Sequence, residues 1–256
     1  RLKIVVCVKL VPDTTAEKRL TADLRLDRTG VPTILNPFDE HAVKEAIRLK
    51  ERYGGEVVAL TMGPEIAKEV VRRAIAMGSD AGVIITDPSL AGADVLPTAK
   101  VLARAAEKLG FDLILCGQES ADARTGLLPA ALAEELTLPQ HTYAVKLDVV
   151  GNIVRSHRQS PEGYLVVESG LPALVSVTRA INDPRYPSLP RLMQAKRMQL
   201  TEWCLADLGL TSADVVSRTR VLGYEPTKPR GACRIVVDDG NAVQVIADFL
   251  AERKLI

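Results

Sequence analysis

A chain of 256 residues that is 47% hydrophobic, with 33 basic residues set against 32 acidic ones, has the means to bury a large core and carries almost no net charge. That balance excludes the basic footprint of a nucleic-acid binder, and 4% aromatic residues are too few for a single-strand stacking platform. No apolar run approaches the ~20 residues that span a bilayer, and Arg1 to Val8 read as a strand, not as a leader, with a removed upstream segment left open.

In chain order, the first half alternates strand and helix. Leu2 to Val8 predicts a strand covered on both faces, and Lys9 to Thr14 leaves it as a loop. A polar, irregular segment runs to Gly30, with Leu24-Arg25-Leu26-Asp27 as a short edge strand. Asn36-Pro37-Phe38-Asp39-Glu40 is a helix start: Asn36 as N-cap, Pro37 where its missing N–H costs nothing, Asp39 and Glu40 as first-turn negative charge. Ala42, Val43, Ala46, Ile47 and Leu49 share one side of the helix from Pro37 to Arg52, which Gly54-Gly55 ends. Val57 to Thr61 is the next strand, and Met62-Gly63-Pro64 turns into a helix from Glu65 to Met77 closed by Gly78. Ala81 to Thr86 is a strand, Leu96 to Leu109 a helix with Gly110 as its stop, and Phe111 to Cys116 another strand. It runs into the polar loop Gly117-Gln118-Glu119-Ser120-Ala121-Asp122-Ala123-Arg124-Thr125-Gly126 and a helix from Leu127 to Leu136.

Strands separated by single helices imply right-handed crossovers and an α/β fold: a mostly parallel, twisted, Rossmann-like sheet with helices on both faces. Ligands of such sheets lie beyond the carboxyl ends of the strands. The rule gathers Cys7 to Leu10, Met62-Gly63 and Gly117 to Gly126, with the start of the Asn36 helix beside them. A helix start offers unpaired N–H groups and a positive dipole end, so the Gly117 loop is a place to hold a phosphate, aided by Arg124 and the Thr125 hydroxyl. The loop is neither GxGxxG nor GxxxxGK[ST], and a polar connection that binds nothing stays open at this point. Cys7, Cys116, Cys204 and Cys233 are never in CxxC spacing, which speaks against a metal site or a disulfide framework and for a reducing compartment. His41, His141 and His157 read as surface or cap residues.

Beyond Pro139 the pattern changes. Thr142 to Val149, Ile153 to Arg158, Tyr164 to Glu168 and Ala173 to Thr178 read as short strands of an antiparallel extension. Asn182 to Pro190 is a proline-rich loop that exposes Tyr186 and Leu189, and the basic stretch Arg191 to Arg197 follows. It is either a connection before a surface helix or a docking loop with Leu189 as apolar anchor. Residues 201–256 have little core-forming periodicity before a helix from Asn241 to Lys254, and Val221 to Gly231 shows no strong element. The expected organisation is a nucleotide-binding domain over residues 1–200 and an extended C-terminal arm over 201–256 that crosses to a partner subunit.

The chain resembles the beta subunit of electron transfer flavoprotein. The likeness is carried by Val5-Val6-Cys7-Val8-Lys9, Asp27-Arg28-Thr29-Gly30, Asn36-Pro37-Phe38, Met62-Gly63-Pro64, Ala74-Ile75-Ala76-Met77-Gly78-Ser79-Asp80, Asp112 to Gln118, Thr125-Gly126, and Pro184-Arg185-Tyr186 to Ala195-Lys196, in collinear order. It implies an alpha/beta heterodimer carrying electrons in a FAD held mostly by the alpha subunit, with an AMP in this chain's own fold. By position, the AMP contacts would be Cys7, Asn36, Pro37, Phe38, Asp39, Met62, Gly63 and the loop Gly117, Gln118, Glu119, Ser120, Ala121, Asp122, Ala123, Arg124, Thr125 and Gly126. Residues 182–197 would be the recognition loop for acyl-CoA dehydrogenases, through Tyr186, Leu189, Pro190, Met193, Lys196 and Arg197. A quinone oxidoreductase or a ferredoxin would be the acceptor, and no side chain of this chain would be a nucleophile or general base. The location would be cytoplasmic in a bacterium or archaeon and the mitochondrial matrix in a eukaryote. Two features depart from the best-known members: the Gly117 loop is shorter, and His157-Arg158 is basic where mitochondrial members place a glutamate. Val11-Pro12-Asp13-Thr14 resembles the electron-bifurcating branch, in which a second FAD replaces AMP and takes hydride from NADH. A stand-alone adenine-nucleotide enzyme and a structural subunit without nucleotide are the readings of other classes.

Overall fold

The first strand, β1 (Leu2–Cys7), alternates its side chains between two helical layers, Ile4 and Val6 to one and Val5 and Cys7 to the other. The computed structural model describes residues 1–225, 227 and 235–256, and Cys233 lies outside them, as does most of the second half of Val221 to Gly231. After β1 come β2 (Leu10–Pro12) and β3 (Thr33–Leu35), an antiparallel pair, then α1 (Pro37–Tyr53), β4 (Gly55–Met62), α2 (Lys68–Met77), β5 (Ala81–Ile85), α3 (Val95–Leu109), β6 (Leu113–Gly117) and α4 (Leu128–Glu135). The second half contributes β7 (Gln140–Val150), β8 (Ile153–Ser160), β9 (Gly163–Gly170), β10 (Ala173–Val177), α5 (Leu189–Arg197), β11 (Thr201–Trp203) and α6 (Ala242–Glu252).

The main sheet has nine strands in the order β11-β5-β4-β1-β6-β10-β7-β8-β9. From β11 to β7 every neighbouring pair is parallel, and only β7-β8 and β8-β9 are antiparallel. Buried residues of α1, α2 and α5 cover one face, and those of α3, α4 and the stretch around Leu205, Leu208, Leu210 and Val215 cover the other.

Several sequence readings change. Ala173–Val177 is not part of the antiparallel extension but sits between β6 and β7, parallel to both. All five of its residues are buried, the pattern of a central strand closed on both faces. The helix read from Glu65 begins with a 3-10 turn, Glu65–Ala67, and Leu26 contributes one antiparallel bridge to Leu20 in place of a strand. Residues 201–215 are not arm: β11 pairs with β5, and the 3-10 turns after it bury leucines against α3. The compact unit accordingly runs from Arg1 to Val221. Finally, His41 and His141 are buried and not on the surface. The Nδ1 of His41 lies 2.8 Å from the Asn182 carbonyl. His141 ties three strands together, with Nδ1 and Nε2 each 2.8 Å from a serine hydroxyl, Ser156 on β8 and Ser169 on β9. Burial lowers its pKa.

Leu222–Ile256 form a second unit, whose α6 carries exposed Val243, Ile246 and Phe249. Among the described residues no helix is long and apolar enough to cross a membrane.

Candidate functional site

From β1 the chain winds through α1 to β4 on one side, while β6, reached through α3 on the opposite face, lies on the other side of β1. The winding reverses between β1 and β6, so the loops that leave these two strands part there and open a crevice.

The start of α1 forms one wall. Asp39 accepts the Lys9 N–H at 2.9 Å, which ties the end of β1 to the start of α1, and its carboxylate lies close against Gly117 at the end of β6. This approach needs glycine at 117: a Cβ there would fall 2.5 Å from Asp39 Oδ1 and 2.7 Å from the Phe38 carbonyl carbon. Burial pushes the Asp39 carboxyl up to about 7, against the hydrogen bonds from Asn36 and Lys9 that favour its charge. Asn36 caps the helix through its backbone only, its carbonyl taking the Asp39 N–H at 2.9 Å. Its buried side chain clamps the loop after β6 instead: Nδ2 donates to the Glu119 carbonyl at 2.9 Å and Oδ1 accepts the Ala121 N–H at 3.1 Å.

The loop is fastened a second time through Asp122, whose side chain is 2% exposed. Lys9 Nζ sits 2.8 Å from Asp122 Oδ1 and 3.3 Å from Ser120 Oγ, and Arg28 donates to Asp122 Oδ2 from Nη2 at 2.7 Å and Nε at 3.1 Å. Burial alone would raise the Asp122 pKa, but Lys9, Arg28 and Ser120 hold it down at about 2. Arg124 and Gly126 carry the chain out of the loop with φ of 50° and 64°, and Arg124 and Thr125 are exposed at the start of α4. Lys9 and Arg28 are both held by Asp122, which leaves Arg124 as the exposed cation of the loop. Cys7 and Cys116 sit side by side on β1 and β6, and the Cys116 thiol, hydrogen-bonded to Cys7 and buried near Asp39, is pushed well above the usual range. Met62 and Gly63 close β4 one strand away, where the Gly63 N–H meets the Ile85 carbonyl at 3.0 Å. The structure thus brings Lys9, Arg28, Asn36, Asp39 and Glu119 to Asp122 into one hydrogen-bonded cluster, with Cys7 and Gly117 beside it.

The electron transfer flavoprotein domain model matches residues 23–208. Among curated relatives, electron transfer flavoprotein subunit beta of Mycobacterium tuberculosis is 38% identical, with 99% of each chain covered. The subunit of the same name from Thermoanaerobacterium thermosaccharolyticum is 37% identical over the full length of both. The chain belongs to the electron transfer flavoprotein beta-subunit family. Membership associates it with a flavin and with an alpha-subunit partner. A further relative, the caffeyl-CoA reductase-Etf complex subunit CarD of Acetobacterium woodii, is 37% identical over 82% of this chain and 81% of its own.

Within this family member, the residues anticipated for docking lie on and before α5. Tyr186 and Leu189 are 80% and 78% exposed, and Pro190, Met193, Lys196 and Arg197 are exposed as well. Ala195 is buried beneath them and Leu192 packs on the core, so α5 is anchored by one face and free on the other. Sequence reasoning missed Lys9 and Arg28 as the partners of Asp122. It also missed Arg179, whose guanidinium stacks 4.5 Å from the centre of the Phe38 ring. Lys9 was findable, since it is the charged residue next but one to β1; nothing local in the sequence singles out Arg28.

Proposed function

We propose that this chain is the nucleotide-holding subunit of a heterodimeric electron carrier, which passes electrons through FAD shared with its alpha partner from dehydrogenases of the acyl-CoA type to a downstream acceptor. The observation that carries the reading is the crevice between β1 and β6, clamped by Asn36 and Asp122, on a chain alike to beta subunits from end to end. The exposed Arg124, two helix starts and the Ser120 and Thr125 hydroxyls suit the phosphate end of an adenine nucleotide. Arg124 and Thr125 would hold that phosphate, and Cys7, Pro37, Phe38, Met62 and Gly63 would line the rest of the site. The flavin supplies the redox chemistry. This chain positions the nucleotide, presents Tyr186, Leu189 and Met193 to a dehydrogenase, and reaches its alpha partner through the arm that ends in α6.

A second reading has an observation of its own. CarD belongs, by its name, to a reductase-Etf complex, which favours a bifurcating member in which a second FAD takes the AMP position and NADH is the donor. One experiment separates the two. The chain is co-purified with its alpha partner, the complex is denatured, and released AMP and FAD are quantified per heterodimer. One FAD with one AMP supports the single-flavin carrier, and two FADs without AMP support bifurcation. A well-folded complex without flavin refutes both and returns a stand-alone adenine-nucleotide enzyme to the front.

A further inference from the structure

The longest irregular stretch near the crevice, residues 13–32, is not slack. It springs from the hairpin of β2 and β3, whose paired ends are Pro12 and Thr33, and it closes with the Asp13 N–H on the Pro32 carbonyl at 2.8 Å. Inside it, Leu20 bridges Leu26, the Asp27 N–H bonds the Arg19 carbonyl at 2.9 Å, and the Asp27 carboxylate accepts the Thr29 N–H at 2.9 Å. These bonds give the segment a local fold of its own.

Two arginines tie this piece to the body. The Arg25 guanidinium, paired with Asp23, packs against Gly92, where a Cβ would stand 1.6 Å from Nη1 and would push this exposed side chain off its seat. The Arg28 guanidinium reaches Asp122. Gly92 follows β5 and Asp122 follows β6, and β4 and β1 are the strands between them. The segment therefore crosses the carboxyl ends of β4 and β1, where the crevice opens.

We propose that residues 13–32 form a strap across the nucleotide crevice, with the Arg28–Asp122 ion pair as its latch and Gly92 as its seat, and that this strap governs how fast the nucleotide leaves. The pair is built to open. Arg28 is 46% exposed and can return to water, while the nearly buried Asp122 keeps Lys9 as its second cation, so release strands no bare buried charge. Arg28 and Arg25 are positioning residues: they act on the nucleotide through the strap.

The proposal rests on the crevice holding an adenine nucleotide, and its test keeps the two apart. Purified alpha/beta complexes are loaded with labelled AMP and chased with unlabelled AMP, and the same complexes are digested briefly with trypsin, for which the exposed Lys18 and Arg19 on the strap are sites. Arg28→Gln is expected to speed both AMP exchange and cleavage at Lys18-Arg19 at least tenfold while leaving the thermal midpoint within about 2 °C of wild type. Arg28→Lys, which restores the charge, brings both rates part of the way back. Arg25→Ala, which empties the seat, acts in the same direction. AMP slows cleavage of the wild type and not of Arg28→Gln. Wild-type rates of exchange and cleavage in Arg28→Gln overturn the latch. A wild-type complex that takes up no AMP and releases no second FAD on denaturation overturns the nucleotide reading, and with it the control of residence, even where faster cleavage of Arg28→Gln upholds the contact itself.

Discussion

Gly117→Ala tests the crevice at its tightest point. The added methyl would sit 2.5 Å from Asp39 Oδ1, 2.7 Å from the Phe38 carbonyl carbon and 2.9 Å from Phe38 Cβ. Two of these atoms belong to the backbone or Cβ of the first turn of α1, so no side-chain rotation relieves the overlap. The helix start must move away from β6, and overpacking of this kind costs about 1–3 kcal/mol. Moving it also pulls Asp39 off the Lys9 N–H and loosens the two Asn36 bonds to Glu119 and Ala121. Buried groups left unpaired add about 1–3 kcal/mol each, although partial relaxation spares some of them. A total of about 3–5 kcal/mol is expected, which in a chain of this size lowers the thermal midpoint by roughly 10 °C. The assay is calorimetry of the purified alpha/beta complex, with bound adenine nucleotide counted after denaturation, and the nucleotide content should fall below half of wild type. Gly170→Ala is the control, because it has nothing within 4 Å of its Cβ and no left-handed backbone, and it should shift stability by no more than about 0.5 kcal/mol. A Gly117→Ala complex with wild-type midpoint and nucleotide content would refute the account of α1 and β6 as one wall.

Asp122→Asn removes the carboxylate shared by Lys9 and Arg28. Since the folded pKa lies near 2, below the ordinary value, the stabilisation is present above pH 4 and is lost as pH falls through 2, so the gap in urea midpoint between the two proteins should narrow over that window. His141→Phe leaves the Ser156 and Ser169 hydroxyls without their ring partner and should cost about 2–4 kcal/mol by urea denaturation. Burial disfavours the His141 imidazolium, so its contribution is present above pH ~6.5 and declines as pH falls, and the variant should lose that slope. Leu189→Glu, at the exposed first position of α5, should leave the melting temperature unchanged and raise the KM for a partner dehydrogenase at least tenfold, the effect of losing an apolar anchor.

The alternating half of the fold is legible because each element there carries its own signal. Pro37 and Gly54 bound α1, Gly78 and Gly110 stop α2 and α3, and the apolar runs of β1, β4 and β6 allow few readings other than a doubly covered sheet. β10 was misplaced because its neighbours in sequence are antiparallel. Its five consecutive buried residues already matched a central strand, but pairing is decided by long-range register, which local periodicity does not carry. β11 and the leucines after it escaped notice since a three-residue strand and isolated 3-10 turns have no period to detect. At the site, strand ends and the helix start named segments that the fold brings together, but the side-chain contacts join residues 94 and 85 positions apart, Arg28 with Asp122 and Asn36 with Ala121. A residue type that caps helices elsewhere, Asn36, is used here to hold a loop. Nothing short of the folded chain reveals that.

The two surfaces differ in how they are joined to the core, and this sets what mutation can do at each. The loop after β6 is bonded to the end of β1 through Lys9, to the start of α1 through Asn36, and to the strap through Arg28. Its geometry is therefore part of the stability of the fold, and any change in it is felt in both melting and nucleotide content. Tyr186, Leu189 and Met193 project from a helix whose attachment is made by other residues, Leu192 and Ala195, on the opposite face. Under the proposed function, their replacement would alter docking without altering folding. Across a panel of variants, nucleotide content should fall with the thermal midpoint for loop substitutions, whereas α5 substitutions should scatter in dehydrogenase KM at constant midpoint. On the proposed function, such an arrangement would let the choice of electron donor change by substitution on α5 while the nucleotide site and the sheet that carries it stay fixed.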